Sequence, residues 1–419
     1  TDRHRELMPF EQYGGYAKLC YEMTHRWKLR ADVSVTHFNA SYPGPVAAPL
    51  LEGDQRITRG MTSFALENRY ANTAGALSLF YNWGNHWIND GYTPGKGESP
   101  QEGRFNSLDN MMGVSLYQSA RLFNGNRMTI GADFFRYGGE AWTEYVKGDK
   151  AGTRRSIVDR HDNEAAGYMD LRQDFGQLIT FNIGLRADHH SRVGTEWIPQ
   201  AGLAFHLPRY MEMKLSAAKG FRYPVLREMY MFPPQNPDLK PESMWNYEMA
   251  LSQSLCDGRF VYGINIFYID GKNLIMTLPN PNGSGRLNQN SGKVDNSGIE
   301  VQTAWRVNRL CSVDANYSFL HMERPLIAAP EHKLYAGVDF TAGRWKLATG
   351  LQYINGLYTT VSPDIKENFA LWNVRGAFRA AGWLELWIRG ENLLAQRYEI
   401  NAGYPMPRAT VMAGVRVGF

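Results

Sequence analysis

Two short runs in this 419-residue chain carry side chains used in acid–base chemistry, Asp188-His189-His190 and His321-Met322-Glu323. A histidine beside a carboxylate can shuttle a proton, but hydrolysis also needs an activated nucleophile, and no nucleophile motif accompanies either run. Both read as polar loop residues, and the chain is not expected to be an enzyme. Soft-metal chemistry has one candidate set, Met229, Met231, His321 and Met322, whose thioethers and imidazole suit copper. Methionine serves equally as apolar filler. The three cysteines, Cys20, Cys256 and Cys311, have no CxxC spacing, so neither a disulfide scaffold nor a zinc site is indicated. No resident metal or cofactor is expected. A net charge of +4 without a long basic tract gives no reason to expect a nucleic-acid partner.

Recognition without covalent chemistry has better candidates. Trp87, Tyr92, Tyr223, Tyr230, Phe232 and Tyr404 fall in predicted loops, where aromatic rings facing a lumen could stack on a large ligand. The competing reading places the same rings in an interfacial girdle.

The elements that must position them are strands. Hydrophobic residues make up 43% and aromatics 13% of the chain. No apolar run reaches the ~18 to 20 residues of a membrane-spanning helix, which excludes a helical membrane protein. Mean hydropathy, −0.42, cannot separate a soluble protein from a barrel whose lipid-facing and lumen-facing residues alternate. Periodicity separates them. Leu77, Leu79, Tyr81 and Trp83 share one face opposite Ser78, Asn82 and Gly84, and Trp345, Leu347, Leu351 and Tyr353 repeat the pattern. Phe260, Tyr262, Ile264, Ile266 and Tyr268 form another such ladder, as do Leu384, Leu386 and Ile388. Apolar faces with aromatic ends fit an outer-membrane barrel.

Short turns near residues 24–26, 71–72, 124–126, 175–177, 207–209, 256–258, 308–309, 342–343 and 380–382 alternate with long polar stretches at 41–60, 89–107, 141–160, 221–242, 271–296 and 395–407. Outer-membrane barrels alternate short periplasmic turns with longer extracellular loops in this way. The pattern predicts an all-β, antiparallel transmembrane barrel of about 19 strands, an odd number where single-chain bacterial barrels have an even one. The first strand, near residues 13–24, runs toward the periplasm, so an odd number of strands is expected before it. The last carries Val411, Ala413, Val415, Val417 and terminal Phe419 on one face and resembles the C-terminal assembly signal of barrel proteins.

Lys219-Gly220-Phe221-Arg222-Tyr223-Pro224, followed by Asn236-Pro237-Asp238-Leu239-Lys240-Pro241-Glu242, resembles the GFRxP and NPxLxPE segments of TonB-dependent receptors. Asn296-Ser297-Gly298-Ile299-Glu300, Ala329-Pro330-Glu331-His332-Lys333, Asn392-Leu393-Leu394, Tyr398 and Gly403-Tyr404-Pro405 extend the likeness over about half the chain. Pro407-Arg408-Ala409 departs from the family's usual Pro-Gly-Arg. Read physically, Pro224, Pro237 and Pro241 fix φ and lack backbone donors, so these segments shape a stiff loop above the rim.

The resemblance implies about 22 strands around an N-terminal plug. Residues 1–419 would then be barrel alone, with the plug and first strands missing. It implies import of a scarce large nutrient, a ferric siderophore or cobalamin, energised by TonB, ExbB and ExbD through that missing plug. Haem and copper are the alternative cargoes, and a passive porin is the alternative function. Outer-membrane lipid, lipopolysaccharide and a surface lipoprotein are the further partners it suggests.

Overall fold

The computed structural model describes residues 9–418, so the terminal Phe419 lies outside the described residues. Nineteen strands follow one another. The first nine are β1 (Phe10–Glu22), β2 (Trp27–Ser41), β3 (Leu51–Arg69), β4 (Thr73–Tyr92), β5 (Gly103–Ala120), β6 (Asn126–Tyr145), β7 (Arg154–Phe175), β8 (Ile179–His190) and β9 (Gly194–Leu207). The next five are β10 (Met211–Arg222), β11 (Glu242–Leu255), β12 (Phe260–Pro279), β13 (Arg286–Arg306) and β14 (Cys311–Met322). The last five are β15 (His332–Ala342), β16 (Trp345–Val361), β17 (Asp364–Ala381), β18 (Leu384–Glu391) and β19 (Thr410–Val417). Each pairs antiparallel with its successor. Among the described residues no pairing joins β1 to β19. The sheet nevertheless curls round, because the Val46 amide of the β2–β3 loop donates to the Gly403 carbonyl of the β18–β19 loop at 2.9 Å.

Alternation sorts the two faces. Phe64, Leu79, Val114 and Phe134 pair in one row across β3 to β6, and each large ring or branched chain there is 39–47% exposed. Apolar groups left uncovered in a continuous band need lipid as their solvent. The opposite face carries charge: Arg59 pairs with Asp109 at 3.0 Å, and the Ser115 hydroxyl donates to Asp133 at 2.5 Å. Phe80 and Phe135 also lie on this inner face, and the space above Gly113 admits them both. A β-carbon there would meet each ring at 2.5 Å.

All nine short turns fall between strands as expected. The long connections are shorter than the composition suggests. Residues 141–160 read as loop, yet β6 runs to Tyr145 and β7 begins at Arg154. Likewise β12 and β13 extend through most of 271–296, and β4 reaches Tyr92. With 20 residues in β4 and 22 in β7, against the ~9 to 11 that cross a bilayer, these hairpins continue well above the membrane. There neither face meets hydrocarbon, so alternation fades while ladder hydrogen bonds persist.

Candidate functional site

The loop from β10 to β11 crosses the extracellular mouth, and its motif residues build its frame. Arg222 donates through Nε to Glu242 (2.6 Å) and through both terminal nitrogens to Glu228 (2.9 and 3.0 Å). The same carboxylates accept the backbone amides of Val225 (2.9 Å) and Ile275 (2.7 Å). One guanidinium thus ties the loop to its own start, to β11 and to β12. The Asn236 side chain donates to the Asn288 carbonyl (2.7 Å), and the Asn288 side chain returns a bond to the Glu228 carbonyl (2.8 Å). The Lys240 amide donates to the Asn290 side chain at 2.7 Å. Pro224, Met229 and Leu239 are buried beneath this frame, with Pro237 and Pro241 on either side of Leu239. A short π-helix, Arg227–Met231, carries Tyr230. At Gly220 a β-carbon would make only ordinary contact with Met244 (3.4 Å), so space does not require glycine there.

Tyr223 is buried, with its ring edge-on to Phe221 (4.9 Å) and 4.7 Å from the His190 ring. Its hydroxyl donates to the Asp188 carbonyl (2.9 Å), with the Gly194 carbonyl sharing the same proton at 3.3 Å. Burial raises its phenol pKa. Beneath it, His190 Nδ1 accepts the amides of Arg192 (3.1 Å) and Val193 (3.3 Å). The ring proton therefore sits on Nε2, facing Asp162 Oδ2 at 3.9 Å. Asp162 binds the Arg192 guanidinium, and Asp188 binds Arg186 at 2.8 Å. Asp162, Asp188 and His190 are each 1% exposed. The runs at 188–190 and 321–323 thus differ from polar loop residues. The first ends β8 in a buried charge network, and His321 and Met322 end β14.

Above this base the mouth presents Tyr230 between two cations. The Arg160 and Arg192 guanidinium carbons each lie 5.9 Å from its ring centroid. Arg160 pairs with Gly139 and shares the inner face of β7 with Asp162 and Glu164. The sequence hides Arg160 because residues 141–160 look like loop, and it hides the Asp162–Arg192 pair because nothing local brings residues 30 apart together. The signal was present as charged residues at 160, 162 and 164, two apart on one strand face.

The other aromatic candidates scatter. Trp87 must be corrected from a lumen-facing loop position. β4 runs unbroken past it, and its place in the alternation of Leu77, Leu79, Tyr81 and Trp83 puts it on the outer wall, where Arg56 caps its ring at 4.6 Å. Tyr92 ends β4 opposite Leu51. Phe232 is 58% exposed beneath Arg227 (5.4 Å), and Tyr404 is 44% exposed in the β18–β19 loop. In that loop Asn392 bonds Gln396 and Pro407, and Tyr398 stacks on Phe369 at 4.1 Å, so these motif residues also hold architecture. Met229 of the copper set is buried at 1% exposure. Among the described residues no three His, Cys, Asp or Glu side chains are arranged to hold a metal ion.

A family model, TonB dependent receptor-like β-barrel, matches residues 23–393. The iron-regulated outer membrane virulence protein of Vibrio cholerae is 23% identical over 316 residues, covering 68% of this chain and 47% of the relative. The vitamin B12 transporter BtuB of Photobacterium profundum is 24% identical over 236 residues, covering 54% and 38%. The chain spans about half the length or less of these curated relatives. Among solved structures, a mutant ferric enterobactin receptor PfeA from Pseudomonas aeruginosa, in complex with enterobactin, superposes with a TM-score of 0.82 at 15% identity, covering 98% of this chain and 70% of that one. The copper transporter OprC gives 0.82 at 13% identity, covering 98% and 72%. At these identities the structural likeness establishes the fold. The family match, which spans most of the chain, establishes that this protein belongs to the TonB-dependent receptors of the Gram-negative outer membrane, a family of uptake receptors, and that this chain contributes their β-barrel.

Proposed function

We propose that this barrel belongs to a receptor that imports an anionic metal chelate, a ferric siderophore being the leading class, with energy supplied by TonB, ExbB and ExbD through a plug domain. The observation that carries the reading is Tyr230 flanked by Arg160 and Arg192 at the mouth. Two guanidinium groups beside a half-buried ring favour a large ligand with negative charge and flat aromatic or conjugated surface. Asp162 positions Arg192 for that contact.

We also propose that further strands complete the ring between β19 and β1, to about 22. Among the described residues β1 and β19 each leave one edge without a strand partner, and an open edge is costly in lipid.

The test is uptake of a labelled ferric chelate by cells carrying the full-length receptor, with and without a working TonB complex. Uptake that requires TonB supports the reading; uptake indifferent to TonB favours the passive porin. Analysis of what copurifies separates cargoes. Iron with an organic chelator supports the proposal, whereas cobalamin, a haem Soret band or stoichiometric copper would each replace it.

A further inference from the structure

The periplasmic end of the barrel holds a second concentration of positive charge. A hollow of about 760 Å³ opens there among the β1–β2, β3–β4 and β5–β6 turns, lined by Arg26, Lys28, Arg69, Arg121 and Arg127. Ligand pockets commonly enclose ~300 to 1,000 Å³.

The register decides which way the strand residues point. Arg69 stands five positions from Phe64 on β3, and Arg127 seven from Phe134 on β6. Odd steps reverse the face, so both guanidinium groups turn into the lumen and away from lipid. Lys28 pairs with Glu67 on the same face. The turns bring in the other two arginines. The Arg69 amide donates to the Arg26 carbonyl, and the Arg121 amide to the Asn72 carbonyl, each at 2.8 Å, which holds the three turns side by side. Arg26 lies 5.2 Å over the Tyr70 ring, whose hydroxyl accepts the Trp27 indole proton at 3.1 Å. A guanidinium stacked by its face keeps its N–H edge free.

The charge is not balanced within the hollow. Its carboxylates are Glu22 and Glu67, and Glu67 already bonds Arg30 at 2.8 Å. Among the described residues none of Arg26, Arg69, Arg121 and Arg127 forms an ion pair. Cations gathered in a concave site repel one another and draw in counter-charge. The ligand that suits them is an anion with several oxygens, each able to take a guanidinium edge.

We infer that this hollow is an exit site for the cargo, in which Arg69 and Arg127, with Arg26 and Arg121 at the rim, receive the anionic chelate before it enters the periplasm. The inference rests on the reading of the cargo as an anionic chelate. Arg160 and Arg192 then stand at the entrance of the lumen and this group at its exit, so an anion that has left Tyr230 is captured at the far end instead of returning.

The test uses the full-length receptor with a ferric tris-catecholate as the probe. Native mass spectrometry counts the chelates held by wild type, Arg69→Gln/Arg127→Gln, Arg69→Lys/Arg127→Lys and Arg160→Ala/Arg192→Ala. In cells, initial TonB-dependent uptake is compared with binding to de-energised cells. Wild type should hold a chelate at each end of the barrel. The glutamine pair should lose one of them and take up the probe several-fold more slowly, with binding to de-energised cells unchanged. The lysine pair, which keeps the charge, should recover both properties. A single chelate, lost only in the Arg160→Ala/Arg192→Ala variant, would overturn the exit site and leave the Tyr230 reading standing. A single chelate lost only in the glutamine pair would support the exit site and remove the Tyr230 reading instead. Equal losses in the glutamine and lysine pairs would assign Arg69 and Arg127 to packing and overturn the site.

Discussion

Replacing Arg222 with alanine removes three charge-assisted hydrogen bonds, at 2.6, 2.9 and 3.0 Å, and leaves Glu228 and Glu242 facing one another without a cation. A buried bond of this type contributes about 1.5 to 3 kcal/mol. The Arg222 side chain is 44% exposed, so solvent screening reduces each to well under 1 kcal/mol, and the clamp as a whole to about 2 kcal/mol. At 1.4 kcal/mol per factor of ten, the loop should open roughly 30-fold more often. Hydrogen exchange reads this directly, because the amides of Val225 and Ile275 donate to the two carboxylates that Arg222 holds. Peptides containing those amides should exchange roughly 10- to 30-fold faster, while peptides from β3 to β6 keep their rates. Unchanged exchange at Val225 and Ile275 would refute the clamp. Uniform acceleration through the barrel would show that Arg222 supports the whole fold instead.

Asp162→Ala should weaken cargo binding about as much as Arg192→Ala does, since it frees the guanidinium that Tyr230 faces; binding titrations of both variants check it. Phe134→Arg introduces a charge in the central apolar row and should cost about 2 to 4 kcal/mol, seen as a lower temperature for loss of the compact band in heat-modifiability gels. Gly113→Val forces Phe80 and Phe135 apart and should destabilise by about 1 to 3 kcal/mol in the same assay. Lys366, whose Nζ lies 2.6 Å from the carboxylate, holds the Glu331 carboxyl below its ordinary pKa, with the Tyr358 hydroxyl also bonded at 3.3 Å. The folded value is depressed, so this anchor is fully present above the ordinary glutamate range near ~4.3. It is lost as pH falls through the lower folded value. Protection around residue 331, meaning exchange relative to the intrinsic amide rate at each pH, should therefore be constant from pH 8 down to about 5 and fall only in stronger acid, and Glu331→Gln should abolish that fall.

Where one face meets lipid and the other a polar lumen, the sequence is a direct record of the fold. Leu77 to Trp83 and Trp345 to Tyr353 alternate because each second residue changes solvent, and the turns between such strands are short enough to find by composition. Above the membrane that contrast disappears. Residues 141–160 lost their periodicity there although β6 and β7 stay paired, and Arg160 was hidden with them. Gly271 was misleading for a related reason, since it marks a register shift inside the β12–β13 ladder and the hairpin continues beyond it. The GFRYP and NPDLKPE segments were legible as a loop frame from their prolines, but the partners of Arg222 were not. Nothing in local sequence says that one guanidinium will meet Glu228 and Glu242 together. Trp87 shows the limit of composition most clearly, since an aromatic residue near a loop has no direction until the strand carrying it is followed to its end.

The paired arginines at the mouth should receive a negatively charged cargo. Equilibrium binding of an anionic ferric chelate to the full-length receptor, compared with an Arg160→Ala/Arg192→Ala double variant at low and high salt, tests this most directly. Two charge-assisted contacts of about 1 to 2 kcal/mol each predict a loss of roughly 30- to 700-fold at low salt, shrinking as salt rises. Equal affinity in the two proteins, independent of salt, would contradict the account.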